Sequence, residues 1–226
     1  MGKRGIQPRY TQAEIVAAAI ELIDREPGTE LTIRALAQHL DLGTMSLYGY
    51  FPNKDELLEA VAASLFESLD GADHRDAPWQ DRLRAQALTI HDVVVRHPNV
   101  GRILRAHATP HPTLFRVREQ MVSVLTEAGF ELPAALEAMG IIASYAQGFA
   151  SVQAATLDSE PLKDRIRQLP ADEFPLLNAG IEHYPNHISD ASFRHGLDLL
   201  ISGLCAELGN GRRPTPPSTP GRRKAT

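Results

Sequence analysis

Apolar residues recur over the first seventy positions at the three-and-four spacing of helices that bury one face. Thr11-Gln12-Ala13-Glu14 is a capping box, and Ile15, Ala18, Ala19, Leu22 and Ile23 follow as one stripe, ended by Pro27-Gly28. Thr32 is placed to cap a second helix whose Ile33, Leu36, Ala37 and Leu40 face a core, and Asp41-Leu42-Gly43 makes the turn after it. Thr44 to Phe51 reads as a short third helix closed by Pro52. Asn53-Lys54-Asp55-Glu56 repeats the capping pattern and opens a fourth, with Leu57, Leu58, Val61, Leu65 and Leu69 inward.

Beyond Gly71 the period stays helical, and no alternation of β-branched residues argues for strands. Residues 78–97 form a helix stopped by Pro98. Residues 113–128 form another, with Gly129 as its C-terminal glycine, and Pro133 opens a long one through Thr156. Residues 158–172 read as a loop with a short helical piece, residues 174–183 and 190–208 as helices, and Gly209 ends the last. The tail from Gly209 is too rich in Pro, Ser, Thr and Arg to bury a core and reads as disordered. The expected fold is all-α: a flexible basic arm (1–8), an N-terminal three-helix helix-turn-helix domain (9–70, motif 32–51), a larger helical domain (71–208) and a basic tail (209–226).

Two short helices joined by a tight turn, followed at once by a capped helix, lay the second short helix in the major groove of DNA. Its first side chains, Thr44, Met45 and Ser46, then meet base edges: hydroxyls donate or accept, and a methionine lies against a thymine methyl. Tyr48 and Tyr50 are long enough to reach phosphate oxygens, and Tyr50 also reads as a cover for the domain surface. Leu47 and Phe51 fall on the inward face. The basic start, with Lys3, Arg4 and Arg9, suits either a minor-groove contact or simple disorder.

Charge refines this picture. The 226 residues carry a net charge of −5, but Arg212, Arg213, Arg222, Arg223 and Lys224 crowd the tail, leaving 18 basic and 28 acidic residues before it. Such a body excludes non-specific coating of nucleic acid and suits a small specific reader. Cys205, the one cysteine, fits a reducing cytoplasm, and no apolar segment follows the basic start as a signal peptide requires. Residues 138–157 bear no charge, yet Ser144, Tyr145, Gln147, Ser151, Gln153 and Thr156 mark a buried helix rather than a membrane span. His107 and His111, like His183 and His187, have a proline between them, so neither is a helical ligand pair and no metal is expected. No nucleophile–base pair, carboxylate pair or phosphate-cradling loop is present, so no enzyme is expected. An enzyme or an interaction scaffold carrying a DNA-binding module is the competing class.

Leu31-Thr32, Arg34, Leu36-Ala37, Leu47-Tyr48, Phe51, Asn53-Lys54 and Leu57-Leu58 together resemble the DNA-binding domain of the TetR-type repressors. Trp79-Gln80-Asp81, Gly129-Phe130, Gly148 and the run from Gly196 to Leu204 resemble the tetracycline-repressor subgroup. The resemblance implies that Arg34 reaches a base from the preceding helix and that Tyr48 and Lys54 clamp phosphates. Gly49 departs from the bulky residue common there. It further implies a cytoplasmic homodimer packed through residues 134–156 and 191–208, bound to a palindromic operator. Repression relieved by a small organic ligand is the expected mode, with ligand-dependent activation as the alternative. The ligand pocket implied by the family is lined here by Gln86, Gln120, Ser144, Tyr145 and Gln147 among Ile90, Leu104, Val117 and Met121. The family's metal-linked ligand positions fall at or next to Leu104 and at Val152, whose apolar side chains supply no lone pair to a hard cation, so a metal-free pocket with no cofactor is expected.

Overall fold

The computed structural model describes residues 9–25, 31–71, 76–106, 112–155, 160–183 and 188–209, with no strand among them. The expected arm (1–8) and the tail beyond Gly209 lie outside these described residues, as do the side chains of Leu69 and Leu104.

Four helices form the reader: α1 (Gln12–Arg25), α2 (Ile33–His39), α3 (Thr44–Tyr48) and α4 (Lys54–Gly71). Each start follows from a local side chain. The Thr11 N–H donates to Glu14 Oε2 at 2.7 Å and the Glu14 N–H to Thr11 Oγ1 at 3.2 Å, closing the capping box. These bonds hold the Glu14 carboxyl below its ordinary pKa, the Thr11 backbone contributing most. Thr32 Oγ1 accepts from the Ala35 N–H at 3.1 Å, and Asn53 Oδ1 from the Glu56 N–H at 2.8 Å.

The turn after α2 falls at the expected residues, and Asp41 within it has a positive φ of 51°. The Asp41 N–H donates to Gln38 O and the Leu42 N–H to Ala37 O, the two-bond closure usually built on glycine. α3 is shorter than predicted, ending at Tyr48. Gly49 follows it, and the Gly49 and Tyr50 N–H groups take tighter three-residue bonds to Ser46 O and Leu47 O. The reader core joins Ile15, Ala19, Ile23, Leu36, Leu47, Phe51, Leu57, Leu58 and Val61.

Seven further helices follow: α5 (Trp79–Arg96), α6 (Pro98–Ala106), α7 (Pro112–Glu127), α8 (Leu132–Ala155), α9 (Glu160–Arg167), α10 (Pro175–Ala179) and α11 (Asp190–Gly209). α5 is central, packing on α4, α6, α7, α8 and α11. α6 was not anticipated. Pro98 stops α5, as predicted, but its fixed φ and missing N–H also suit the first position of a new helix. Val100 and Ile103 of α6 enter the reader core. The helix expected over 174–183 shrinks to α10 and a single 3₁₀ turn at 181–183. α10 buries no residue, so no packing energy carries it past Gly180. No described helix is long and apolar enough to cross a membrane.

α7 ends as its sequence predicts. Gly129 has φ +105°, its N–H donates to Thr126 O, and the Phe130 N–H donates to Leu125 O. Phe130 then meets Trp79 edge-on at 5.7 Å. Gly129→Ala places a side chain in a left-handed conformation and is expected to lower unfolding stability by about 1–2 kcal/mol in urea titrations. An unchanged midpoint would contradict this closure.

Candidate nucleic-acid interface and ligand pocket

α3 is pinned by fully buried Leu47 and turns Thr44, Met45 and Ser46 outward. Met45 is 82% exposed, a long apolar side chain held in water where packing gives it no reason to be. Tyr48 is 44% exposed on the next turn. Tyr50 is half-buried against the reader core, while its carbonyl accepts from Gln12 Nε2 at 3.0 Å. Arg34 projects from the second position of α2 and is exposed, and Lys54 is half-buried at the first position of α4. The six positions 34, 44–46, 48 and 54 thus occupy the solvent side of the α2–α3 pair and the start of α4.

Contacts distant in sequence, which no local pattern reveals, fasten this face. Arg9 donates to Asp41 O at 2.9 Å and pairs with the Asp41 carboxylate at 3.2 Å. Tyr10 Oη donates to Leu40 O at 3.0 Å. Arg9, counted above with the basic arm, is therefore tied to the turn between α2 and α3. At the other end of α1, His97 Nδ1 lies 2.6 Å from Asp24 Oδ2, joining the end of α5 to the reader.

The predicted ligand residues divide into two groups. Gln86 and Ile90 share one face of α5, and Ile90 packs in one cluster with Val117 and Met121 of α7. Gln86 Oε1 is buried and has no hydrogen-bond partner among the described residues, an orphaned acceptor on that face. Gln120 is half-buried on α7. By contrast, Ser144 is exposed on α8, and Gln147 is half-buried, its carbonyl accepting from Ser151 Oγ at 2.7 Å. Tyr145 turns to α11: its hydroxyl donates to Phe193 O at 3.1 Å and its ring stacks on Phe193 at 5.3 Å. A Cβ at Gly196 would lie 2.0 Å from that hydroxyl, so the glycine is what admits the tyrosine. Burial raises the Tyr145 pKa.

A cleft of about 290 Å³ between α5 and α11 is lined by Leu88, Thr89, His91, Asp92, Val95, Asp190, Phe193 and Arg194. None is a predicted ligand residue, and Leu88 and Asp92 lie about 200° around α5 from Gln86 and Ile90. Its polar wall is internally paired. His91 Nε2 meets Gln153 Oε1 at 2.9 Å, Gln153 Nε2 donates to Asp190 Oδ1 at 2.7 Å, and Arg96 pairs with Asp92. Sequence reasoning missed His91, which stacks on Phe193 at 3.9 Å. A single histidine on an apolar face has no local signal. Among the described residues no group of three or more His, Cys, Asp or Glu could hold a metal.

A family model described as bacterial regulatory proteins of the tetR family matches residues 15–61, and one described as the tetracyclin repressor-like C-terminal domain matches residues 72–208. The chain is 27% identical over 211 residues to an HTH-type transcriptional regulator of Saccharopolyspora erythraea, covering 90% of this chain and 88% of the relative. It is 28% identical over 211 residues to the class D tetracycline repressor protein of Escherichia coli, covering 88% and 91%. The crystal structure of the Streptomyces coelicolor TetR family protein ActR in complex with actinorhodin superposes with a TM-score of 0.68 at 25% identity, covering 88% of this chain and 99% of that one.

A duplex seated on the α3 face would lie within reach of both kinds of contact. Lys54→Ala is then expected to weaken binding to all sequences alike and to lower the slope of log K against log salt by about 0.9 for each chain bound. Thr44→Ala and Ser46→Ala are expected to change the preferred base instead. Binding-site selection at several salt concentrations checks both, and a Lys54→Ala variant with altered base preference and an intact slope would contradict the assignment.

Proposed function

The chain belongs to the TetR family of bacterial transcriptional regulators, and from that premise we propose that it is a homodimeric repressor of a palindromic operator, released by a small organic ligand. The observation that carries the reading is an exposed α3, Met45 above all, on a reader that continues through α4 into a larger helical body and packs against its α6. Thr44, Met45 and Ser46 read bases, Arg34 reaches in from α2, and Tyr48 and Lys54 hold phosphates. Tyr50 contributes chiefly as support for α3.

Paired half-sites about one helical turn apart require a two-fold dimer. Gly140 and Gly148 on α8 and Gly203 on α11 have open space where a side chain would stand. Among the described residues nothing uses their smallness, although glycine inside a helix costs about 1 kcal/mol relative to alanine. Close approach of a second copy accounts for them. Leu132, Leu136 and Ile141 on α8 and Leu199 on α11 are exposed nearby. Ile201, by contrast, is 3% exposed in the core and Leu200 packs against it, so the interface side of α11 is Leu199, Ser202, Gly203 and Ala206.

For the ligand, Gln86 Oε1 supplies an acceptor beside the apolar wall of Ile90, Val117 and Met121, which suits an amphipathic molecule with a hydrogen-bond donor. Val152, exposed and apolar, offers a cation no side-chain oxygen, in keeping with a metal-free ligand. The structural neighbour ActR was crystallised in complex with actinorhodin, which supports a ligand-binding role for this domain. The ligand releases DNA by favouring a tilt of α4 that moves the two α3 helices out of register. By linkage, operator DNA must weaken the ligand by the same factor.

A duplex from the region upstream of its own gene tests the reading: two chains per duplex are expected, and no shift with any upstream duplex would contradict it. Leu199→Glu, placing charge on an already exposed position (62%), is expected to leave the fold intact, convert the protein to monomers in sedimentation and abolish tight duplex binding. A dimeric Leu199→Glu variant would misplace the interface.

A further inference from the structure

The first turn of α7 is held from another helix. Pro112 opens α7 without an N–H, so Thr113 carries its first free donor. That donor is answered by Glu59 of α4, fifty-four positions earlier: Thr113 N–H to Glu59 Oε1 at 3.0 Å. Thr113 Oγ1 also donates to Oε1 at 2.7 Å, and Arg116 Nη2 reaches Oε1 at 3.3 Å and Thr113 Oγ1 at 2.6 Å. Thr113 is 4% exposed, one of two buried polar residues, with His91, in the described core. A reader-helix carboxylate thus sits where a helix N-terminus and an arginine both favour negative charge.

The two helices so joined have different duties under the function proposed above, on which this inference rests. α4 carries Lys54 five residues before Glu59, about 7.5 Å along the axis. α7 carries Val117 and Met121, one and two turns after Thr113, into the wall beside Ile90. α1 is fastened separately, through Asp24 and His97. A ligand that shifts or frays the first turn of α7 therefore acts directly on a tie to α4, while α1 stays attached to α5.

We propose that Glu59 is a positioning residue, the latch by which the state of α7 is passed to α4 and so to the DNA-reading face. DNA binds the latched form better, and release of the Glu59–Thr113 contact is the step that frees α4. Glu59 itself touches no DNA.

The test is hydrogen exchange on the full chain, with and without the duplex that wild-type protein selects from a random pool. In wild type the duplex should slow exchange in the first turn of α7, residues 113–117, ten-fold or more. Glu59→Ala should exchange fast there in both states and bind the duplex several-fold more weakly at an unchanged salt slope, whereas Glu59→Gln, which keeps an acceptor, should recover part of the protection. Should Glu59→Ala fail to fold, Thr113→Val, which removes the hydroxyl and keeps the shape, should give an intermediate loss. A purely structural Glu59 would speed exchange in its variants yet leave the wild-type ratio between free and duplex-bound states, and that result overturns the latch. Wild type that binds a duplex without protecting residues 113–117 overturns it too. Wild type that selects no duplex overturns the functional reading, and the latch with it.

Discussion

α4 cannot bury its apolar face in either half of the molecule alone. Leu57, Leu58, Val61 and Ala62 are fully buried in the core that holds Ile15, Leu36 and Leu47, while Phe66 is buried in the core built on α5, α7 and α8. Leu65 packs against both. Each of the leucine, valine and phenylalanine side chains stabilises its core by about 1.5–3 kcal/mol, so detaching α4 from either side is costly and tilting it is the cheaper motion. A rigid helix shared by two cores transmits displacement because packed interiors do not deform smoothly.

Polar contacts then decide which tilt is held. They are few and specific: Asp24 with His97 between α1 and α5, and Glu59 with Thr113 and Arg116 between α4 and α7. The reader itself is stiffened by Arg9, Tyr10 and Gln12, whose side chains bind the turn after α2, its last carbonyl and the carbonyl of Tyr50. The three short reader helices are individually too brief to persist in water, and these long-range ties hold α3 in the attitude that leaves Met45 exposed.

What the sequence revealed was what neighbours decide. Thr11, Thr32, Asn53 and Gly129 act over three or four residues, and each caps or closes the helix it was expected to. The misreadings came where one residue has two uses or where a distant partner chooses. Pro98 ends α5 and begins α6, and only the packing of Val100 and Ile103 on the reader shows the second use. Asp41 takes a left-handed conformation in the turn after α2, with Arg9 drawn to it from thirty-two residues away. That Thr44 to Ser46 face solvent follows from the pattern, because α3 has one buried anchor, Leu47. The second site was less legible: on the small-residue helix α8, hydrophobicity hardly distinguishes outward Ser144 from Tyr145, which Gly196 admits against α11.

The spacing between the two reading faces is the quantity on which the account turns. A spin label at Gln38→Cys, exposed on α2, in a Cys205→Ser background reports it by pulsed dipolar spectroscopy. The expected result is a broad distribution of inter-subunit distances in the free protein that collapses to one narrow peak on the selected duplex. No inter-subunit signal, or a distribution that the duplex leaves unchanged, would contradict a dimer whose readers are set by the tilt of α4.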